Sequence, residues 1–457
     1  MPRAVKGVLI AAILIGALAL RVAELERDAY RPINDAGSYL TLASEVAKTG
    51  DYSLSHNPGS GAGGTRGPSA YFGPGYPYFL ALVDILDGHE TRRGGAIQPA
   101  RVSQAVLGTI TVALIGLVAL ELFGATAGVI ALVLAAVYPV LIELSTILVA
   151  ENLLTALILA AVYAGLRAGR APRSRSSLLW VAAAGILTGL ATLTHENGIL
   201  IILPLIAAVW KGRPRFKPRS LAAPALLIVT AALMIVPWTI RNEVVLHSFI
   251  PVSDETGITL VGTYNSASAA NTPVPYKWRI FYAVPGERTL IHEASTLTEP
   301  EIGSKLQSQA FHYISDHPFS PFAVGYDNTR RLLELEGSFA WQASASAISL
   351  PISVARLGVI SFWVLCLLAL AGAFTKLVRS AQKWVWAVPV LLALSVVLVN
   401  VETPRFRAPV DPFLILLASA GLATLVAKLR RAPVVRQRRG AVAARPAQLV
   451  EMVERLA

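Results

Sequence analysis

Apolar runs of about 20 residues recur along almost the whole chain, separated by short polar or charged connections. A run of that length matches the hydrocarbon thickness of a bilayer, about 30 Å, and exceeds what a helix in a soluble core needs. The pattern predicts about ten crossings, over residues 5–23, 100–121, 124–141, 146–167, 178–194, 197–210, 220–240, 351–375, 384–400 and 408–427. The expected fold class is therefore an all-α polytopic membrane protein. The first run follows Arg3 and Lys6 but is long and lacks a small-residue cleavage site, so it reads as a retained helix rather than a secretory signal. Two stretches, roughly 24–99 and 241–350, break the rhythm and are too long to serve only as connections.

Charge turns this pattern into a topology. Lys and Arg accumulate in short cytoplasmic loops because they resist translocation. Arg167, Arg170, Arg173 and Arg175 fill one connection, Lys211, Arg213, Arg215, Lys217 and Arg219 the next, and Lys376, Arg379 and Lys383 a third. With Arg3, Lys6 and the tail after Lys428 on the same side, ten crossings alternate consistently and both termini are cytoplasmic at the cell membrane. The formal net charge of +12 is thus largely a matter of topology. A basic tail such as "KLRRAPVVRQRR" lies beside the membrane without interleaved aromatics, which suits anionic lipid and not nucleic acid. The expected organisation is a membrane unit over 1–430 and a basic cytoplasmic tail over 431–457. The one cysteine, Cys366, excludes an internal disulfide and a thiolate metal cluster.

Nearly all acidic residues then fall outside, Glu121, Glu451 and Glu454 excepted, so the outer face carries the chemistry. In the first outer loop, "INDAGSYLTLA" places Asp35 at the start of an amphipathic segment whose face is Tyr39, Leu42, Ala43 and Val46 and whose stop is Gly50. Asp35 can serve there as a helix cap, as a chemical group, or as both. "GSGAGG" fits G-x-G-x-x-G through Gly59, Gly61 and Gly64, but no strand precedes it and no helix follows, so it reads as a flexible loop and not a dinucleotide site. Beyond it, "YFGPGYPYFLALVDIL" predicts a second interfacial helix. In the second loop, "FIPVSDETGITLVGTYN" reads as short extended stretches. Thr298 to Glu301 forms a capping-box pattern opening a helix to about Ser315, and "DNTRRLLELEG" predicts another helix leading back to the membrane.

Ionisable residues at outer helix ends narrow the search, because burial there is expensive and function is the default explanation. Glu151 begins the fourth span. His195 and Glu196 mark an outer hairpin turn, and His195 lacks the spaced partners of a zinc site. Trp238 and Arg241 close the seventh span, where Arg suits a phosphate at the bilayer surface because its planar fork grips two oxygens. Glu402, Arg405 and Arg407 crowd into the last outer turn.

In order, "INDAGSYLTLASEVAKTGDY", "GPGYPYFLALV", "LVAENLLTALIL", "GILTGLATLTHENGILIILPL", "PWTIRNEVVLHSFIPVS" and "ETPRFRAPVDPFLILLA" resemble the bacterial branch of the dolichyl-phosphate-mannose protein mannosyltransferase-like glycosyltransferases, of GT-C fold. The resemblance covers nearly the whole membrane region and rests on order and placement. It implies a GT-C-like bundle with interfacial helices, a polyprenyl-phosphate sugar as donor, and a lipid, glycan or protein acceptor in the cell envelope. It implies that Asp35 is the catalytic base and that Arg241, Arg405 and Arg407 are candidate ligands of the donor phosphate. Tyr39, Glu151, His195, Glu196 and Glu402 are candidates for substrate or ion contact. "THEN" stands where the family more often has an Arg-Pro sequence. No cofactor is required by the sequence, and a divalent metal would be compatible with the chemistry.

Displacing phosphate from an anomeric carbon needs a base for the acceptor hydroxyl and cations for the leaving phosphate, and an in-line attack inverts the centre. The rival reading is a transporter or flippase of lipid-linked sugars. That would predict internal repeats and mid-membrane charges on broken helices, whereas here the charges collect at one face.

Overall fold

The computed structural model describes residues 3–27, 30–54, 67–88, 97–170, 175–210, 218–280, 283–284 and 296–431. The glycine-rich segment 59–64 and the tail after residue 431 lie outside the described residues. All ten predicted crossings are helical. Seven are long and apolar enough to cross a membrane: α1 (Arg3–Arg27), α4 (Ile97–Phe123), α7 (Ala150–Arg170), α8 (Arg175–Thr194), α10 (Pro218–Leu246), α16 (Ile352–Ala373) and α19 (Asp411–Arg431). The other three positions hold shorter apolar helices. α5 (Ala125–Val137) stops before Pro139, and a short α6 (Pro139–Leu144) continues its path. The segment after His195 winds first as a 3₁₀ turn, Glu196–Ile201, and then as α9 (Ile202–Val209). α18 (Trp384–Val397) carries Pro389 within it.

Between helices in lipid, association comes from close packing, because the surrounding tails are as apolar as the side chains. The sequence supplies that closeness with small residues. A Cβ added to Gly372 of α16 would collide with the Leu417 carbonyl of α19. α7 is central, two-thirds of its apolar stretch being covered by protein, and it packs on α8 and α4. α1, α10 and α16 instead turn most of their apolar surface outward, with Leu233, Leu367 and Leu370 among the exposed residues.

The long loops build a second core at one end of the bundle. α2 (Asp35–Thr49) and α3 (Gly75–Asp87) are helical where the sequence places its two interfacial helices. On α2 the predicted face is the buried one, with Tyr39, Leu42 and Ala43 inside and Val46 packed against them. Gly50 ends the helix at φ 82°, a conformation a side chain would strain. Tyr39 packs on Phe72 and Tyr76 at 4.6 and 4.9 Å between ring centroids. From the second loop come α11 (Thr256–Thr263), α12 (Ser266–Ala269), α13 (Glu299–Asp316), α14 (Ser320–Leu332) and α15 (Ser338–Ala347); α17 (Lys376–Ser380) lies beyond α16. Unlike the lipid-facing contacts, this core gains from the hydrophobic effect, about 1.5–3 kcal/mol for each large side chain fully buried.

The capping box at Thr298 and Glu301 is present, and α13 runs one residue past its predicted end. The helix predicted over "DNTRRLLELEG" is found for "DNTRRL", the second half of α14, and stops at Leu332, so the "LELEG" part is a turn and not helix. A further expectation fails. "ITLV" within "FIPVSDETGITLVGTYN" is helical, not extended, because Ile258 and Val261, three apart, share the face that meets Ile302 and Leu306 of the same core cluster. Among the described residues the β structure amounts to an isolated bridge, Ser53 to Pro68.

Candidate functional site

Asp35 sits in the first turn of α2, but the structure assigns the cap position to Asn34, at φ 51°, and no side chain caps that helix. The capping reading of Asp35 is thereby corrected: its carboxylate is drawn away from the helix end by a cation. Asn34 Nδ2 donates instead to the Ala347 carbonyl at 2.8 Å, and Ser349 donates to the Arg31 carbonyl, so the approach to α2 is tied to the chain beyond α15.

The cation is Arg405, on a 3₁₀ turn spanning Arg405–Arg407. Its Nη1 donates to Asp35 Oδ2 at 2.6 Å and its Nε to Glu151 Oε1 at 2.5 Å. One guanidinium therefore joins three chain segments, 370 and 254 residues apart in sequence. Glu151 is almost fully buried at the start of α7, Arg405 nearly so, while the Asp35 side chain keeps 34% of its surface open. Glu151 Oε2 is buried without a partner. A polar row lies behind it: Asn152 donates to Gln104 Oε1, and Gln104 donates to the Tyr76 hydroxyl. Burial and the Asp35 charge together push the Tyr39 hydroxyl well above its ordinary range.

Asp35 and Arg405 open onto a cavity of about 630 Å³. His195, Glu196 and Asn197 line it from the turn after α8, Tyr71 and Trp278 give aromatic surface, and Glu255, Thr256 and Thr259 form the wall from α11. Burial holds the His195 imidazole below its usual range, so the ring is neutral at pH 7. Glu196 Oε1 accepts from the Ser253 hydroxyl at 2.6 Å. Glu402 pairs with Lys277 at 3.0 Å; burial alone would raise its carboxyl, yet Lys277 and Arg405 hold it below the ordinary range. Burial likewise works against the Arg405 charge, and Glu151 and Asp35 more than offset it. Burial, then Asp35, push the Glu255 carboxyl up to about 8.

The structure thus gathers Asp35, His195, Glu196, Glu402 and Arg405 around one cavity, with Glu151 and Tyr39 directly behind. It does not bring the other two arginines there. Arg241 donates to the Ser69 and Tyr52 carbonyls at 2.7 and 2.9 Å and stacks 4.9 Å from the Trp238 ring centre. Arg407 points into the bundle, bonded to Glu334 and Asp411 and lying over Phe362 at 3.6 Å. Glu255, Trp278 and Lys277 are site residues that sequence reasoning missed, since nothing in the local pattern distinguishes them from loop polarity. Among the described residues no three His, Cys, Asp or Glu side chains are grouped to hold a metal ion.

Residues 73–240 match the family model described as dolichyl-phosphate-mannose-protein mannosyltransferase. No protein of the curated set matches the chain. Among solved structures, the archaeal oligosaccharyltransferase AglB from Archaeoglobus fulgidus, in complex with an inhibitory peptide and a dolichol-phosphate, superposes with a TM-score of 0.56 at 14% identity, over 99% of this chain and 54% of that one. The Archaeoglobus fulgidus oligosaccharyltransferase tethered to an acceptor peptide gives 0.57 at 14% identity, over 94% and 50%. The chain spans about half the length of these proteins. Its fold is that of the GT-C glycosyltransferases, as the family resemblance implied.

Proposed function

We propose that the protein is an integral-membrane glycosyltransferase that moves a sugar from a polyprenyl-phosphate donor to a cell-envelope acceptor on the outer face. The observation that carries this reading is the Asp35–Arg405–Glu151 array at the mouth of a cavity, at the end of a membrane bundle. A lone cation shared between two carboxylates is poised for exchange. Glu151, buried and immobile, keeps Arg405 in place; Asp35, more open, is the partner that an arriving phosphate replaces. That exchange takes Nη1 from Asp35 and gives it to the phosphate, leaving the carboxylate free to accept a proton.

Asp35 then removes the proton of an acceptor hydroxyl as its oxygen attacks the anomeric carbon. The bond from that carbon to the phosphate oxygen breaks, its electron pair stays on the phosphate, and Arg405 holds the developing charge. Attack from the side opposite the phosphate inverts the centre. The likeness of the fold to oligosaccharyltransferases, one solved with dolichol-phosphate, supports a polyprenyl-phosphate donor. His195, neutral and facing the cavity, is available to a sugar hydroxyl.

The test is release of polyprenyl phosphate by purified protein in liposomes, across a panel of polyprenyl-phosphate sugars with mixed envelope acceptors, for wild type beside Asp35→Asn. Sugar-dependent release falling 10²–10⁴-fold in a folded mutant is expected for loss of a general base. Release untouched by the mutation would remove Asp35 from the mechanism; no release with any donor would favour transport. Adding a chelator to the same assay measures any contribution from a divalent ion.

A further inference from the structure

The carboxyl of Glu255 lies on the cavity wall and has no work in the proposed reaction. Glu255 stands at the cap position of α11 but makes no capping bond. Among the described residues its side chain, half-buried on the cavity wall, has no hydrogen-bond partner. Its position is not slack. Asp254, the preceding residue, donates its backbone N–H to the Ala70 carbonyl at 2.8 Å. Gly257, two residues on, lies so close to the Gly303 backbone of α13 that a Cβ would collide with it. Trp278 donates its indole N–H to the Ile258 carbonyl at 3.3 Å. A polar group held in a fixed place on a cavity wall, with no partner from the chain, is a ready contact for a polar ligand that fills the cavity.

The surroundings define that ligand. Asp35 and Arg405 face Glu255 from the other wall, Glu196 from the turn after α8, Glu151 from α7, and Tyr71 and His195 also line the space. Phosphate belongs at Arg405, the cavity's own arginine. What remains beside Glu255 is a polar pocket with the aromatic surface of Tyr71 and Trp278, chemistry that suits the hydroxyls and C–H faces of a pyranose or furanose ring. We propose that Glu255 binds the transferred sugar, its carboxyl hydrogen-bonding adjacent hydroxyl groups of a neutral hexose or pentose. This assignment rests on the polyprenyl-phosphate-sugar reading of the site. With its carboxyl pushed up to about 8, Glu255 carries a proton at neutral pH and can donate one hydrogen bond while accepting another. Above that pH it loses the donor and places a second negative charge opposite Asp35.

The experiment measures equilibrium binding of farnesyl-phosphate-linked neutral sugars and of farnesyl phosphate alone, in detergent, between pH 6.5 and 9.5. The readout is the affinity gained from the sugar, taken as a ratio within each variant. In wild type the gain should fall about tenfold as pH rises, the worth of one hydrogen bond. Glu255→Gln, which donates at every pH, should keep the gain and flatten the profile. Glu255→Ala should lose the gain throughout. A gain of wild-type size in Glu255→Ala, or an unaltered pH fall in Glu255→Gln, would overturn the assignment. Binding of farnesyl phosphate with no gain from any sugar in wild type would overturn it and leave the phosphate site standing. Failure of farnesyl phosphate itself to bind would sink both this assignment and the donor class.

Discussion

Replacing Arg405 by Met tests the central array more severely than any change to the base. Met keeps the apolar reach of the side chain and removes the charge. The Arg405–Glu151 pair has side-chain exposures of 9% and 1%. At an effective dielectric of about 20 and about 4 Å between charge centres, the attraction is about 4 kcal/mol. Glu151 is left with one oxygen already unpartnered and a second one stripped of its donor. Breaking a buried pair in this way costs about 3–5 kcal/mol. The Asp35 side adds at most about 1 kcal/mol, since Asp35 is open to water. The single mutant should therefore lose about 3–5 kcal/mol of stability, measured as the shift of the unfolding curve in mixed micelles titrated with dodecyl sulfate. Adding Glu151→Gln removes the stranded charge and should restore at least half of the loss. Sugar transfer should be abolished in both, because neither has a cation for the leaving phosphate. A single mutant as stable as wild type, or a double mutant no better than the single, would refute the view that Glu151 anchors Arg405.

Three further outcomes follow from contacts away from that array. Arg241→Lys cannot span the Ser69 and Tyr52 carbonyls and loses the stacked fork on Trp238; it should cost about 1–3 kcal/mol while kcat changes less than tenfold, and a hundredfold fall in kcat would return Arg241 to the phosphate site. Gly257→Ala forces α11 off the Gly303 backbone, so the melting curve should show about 1–3 kcal/mol of destabilisation from overpacking, with KM for the sugar donor rising as Glu255 shifts; an unchanged melt would contradict the contact. Asp254 and Glu299 are each pushed up to about 7, by burial first; the Glu299 charge raises Asp254 further, while hydrogen bonds from Ala70 and Ser69 moderate Glu299. Both pKa values lie above the unfolded values of about 4, so their contribution to stability is full below that range and is lost as pH rises toward 7. Amide exchange at Ala70, whose N–H donates to Glu299 at 2.6 Å, should therefore be faster at pH 8.5 than at pH 6 after intrinsic correction, and Asp254→Asn should remove most of the difference; identical rates would exclude the ionisation.

The parts of this fold that the sequence carried were those with a period. Ten apolar runs gave ten helical segments, the face of α2 was readable because burial repeats every three to four residues, and Gly50 and Thr298 marked the end of α2 and the start of α13. The span lengths were less legible at α5 and at α9, where Pro139 and the 3₁₀ turn after His195 shorten a helix without altering its hydropathy. "ITLV" failed for a related reason: four apolar residues in a row fit a strand or a helix equally, and the choice was made by Ile302 and Leu306 some 40 residues away.

Charge told where the chemistry lies but not which charges meet. Arg405 and Arg407 are two residues apart on one 3₁₀ turn, and the turn sends them in different directions, one to Asp35 and the cavity, the other to Asp411 and the bundle. No composition or spacing rule separates them, because the decision is made by Glu151 and Glu334, residues from other ends of the chain. Glu255 was invisible for the opposite reason. Its neighbours in sequence are ordinary loop polarity, and only the Gly257–Gly303 approach and the anchoring of Asp254 to Ala70 turn it toward the cavity. The residues best placed to choose a substrate are therefore those whose direction is set by distant backbone contacts, and a change at Gly303, which has no side chain and where an added Cβ would press on Asp254, should alter sugar selectivity as surely as a change at Glu255.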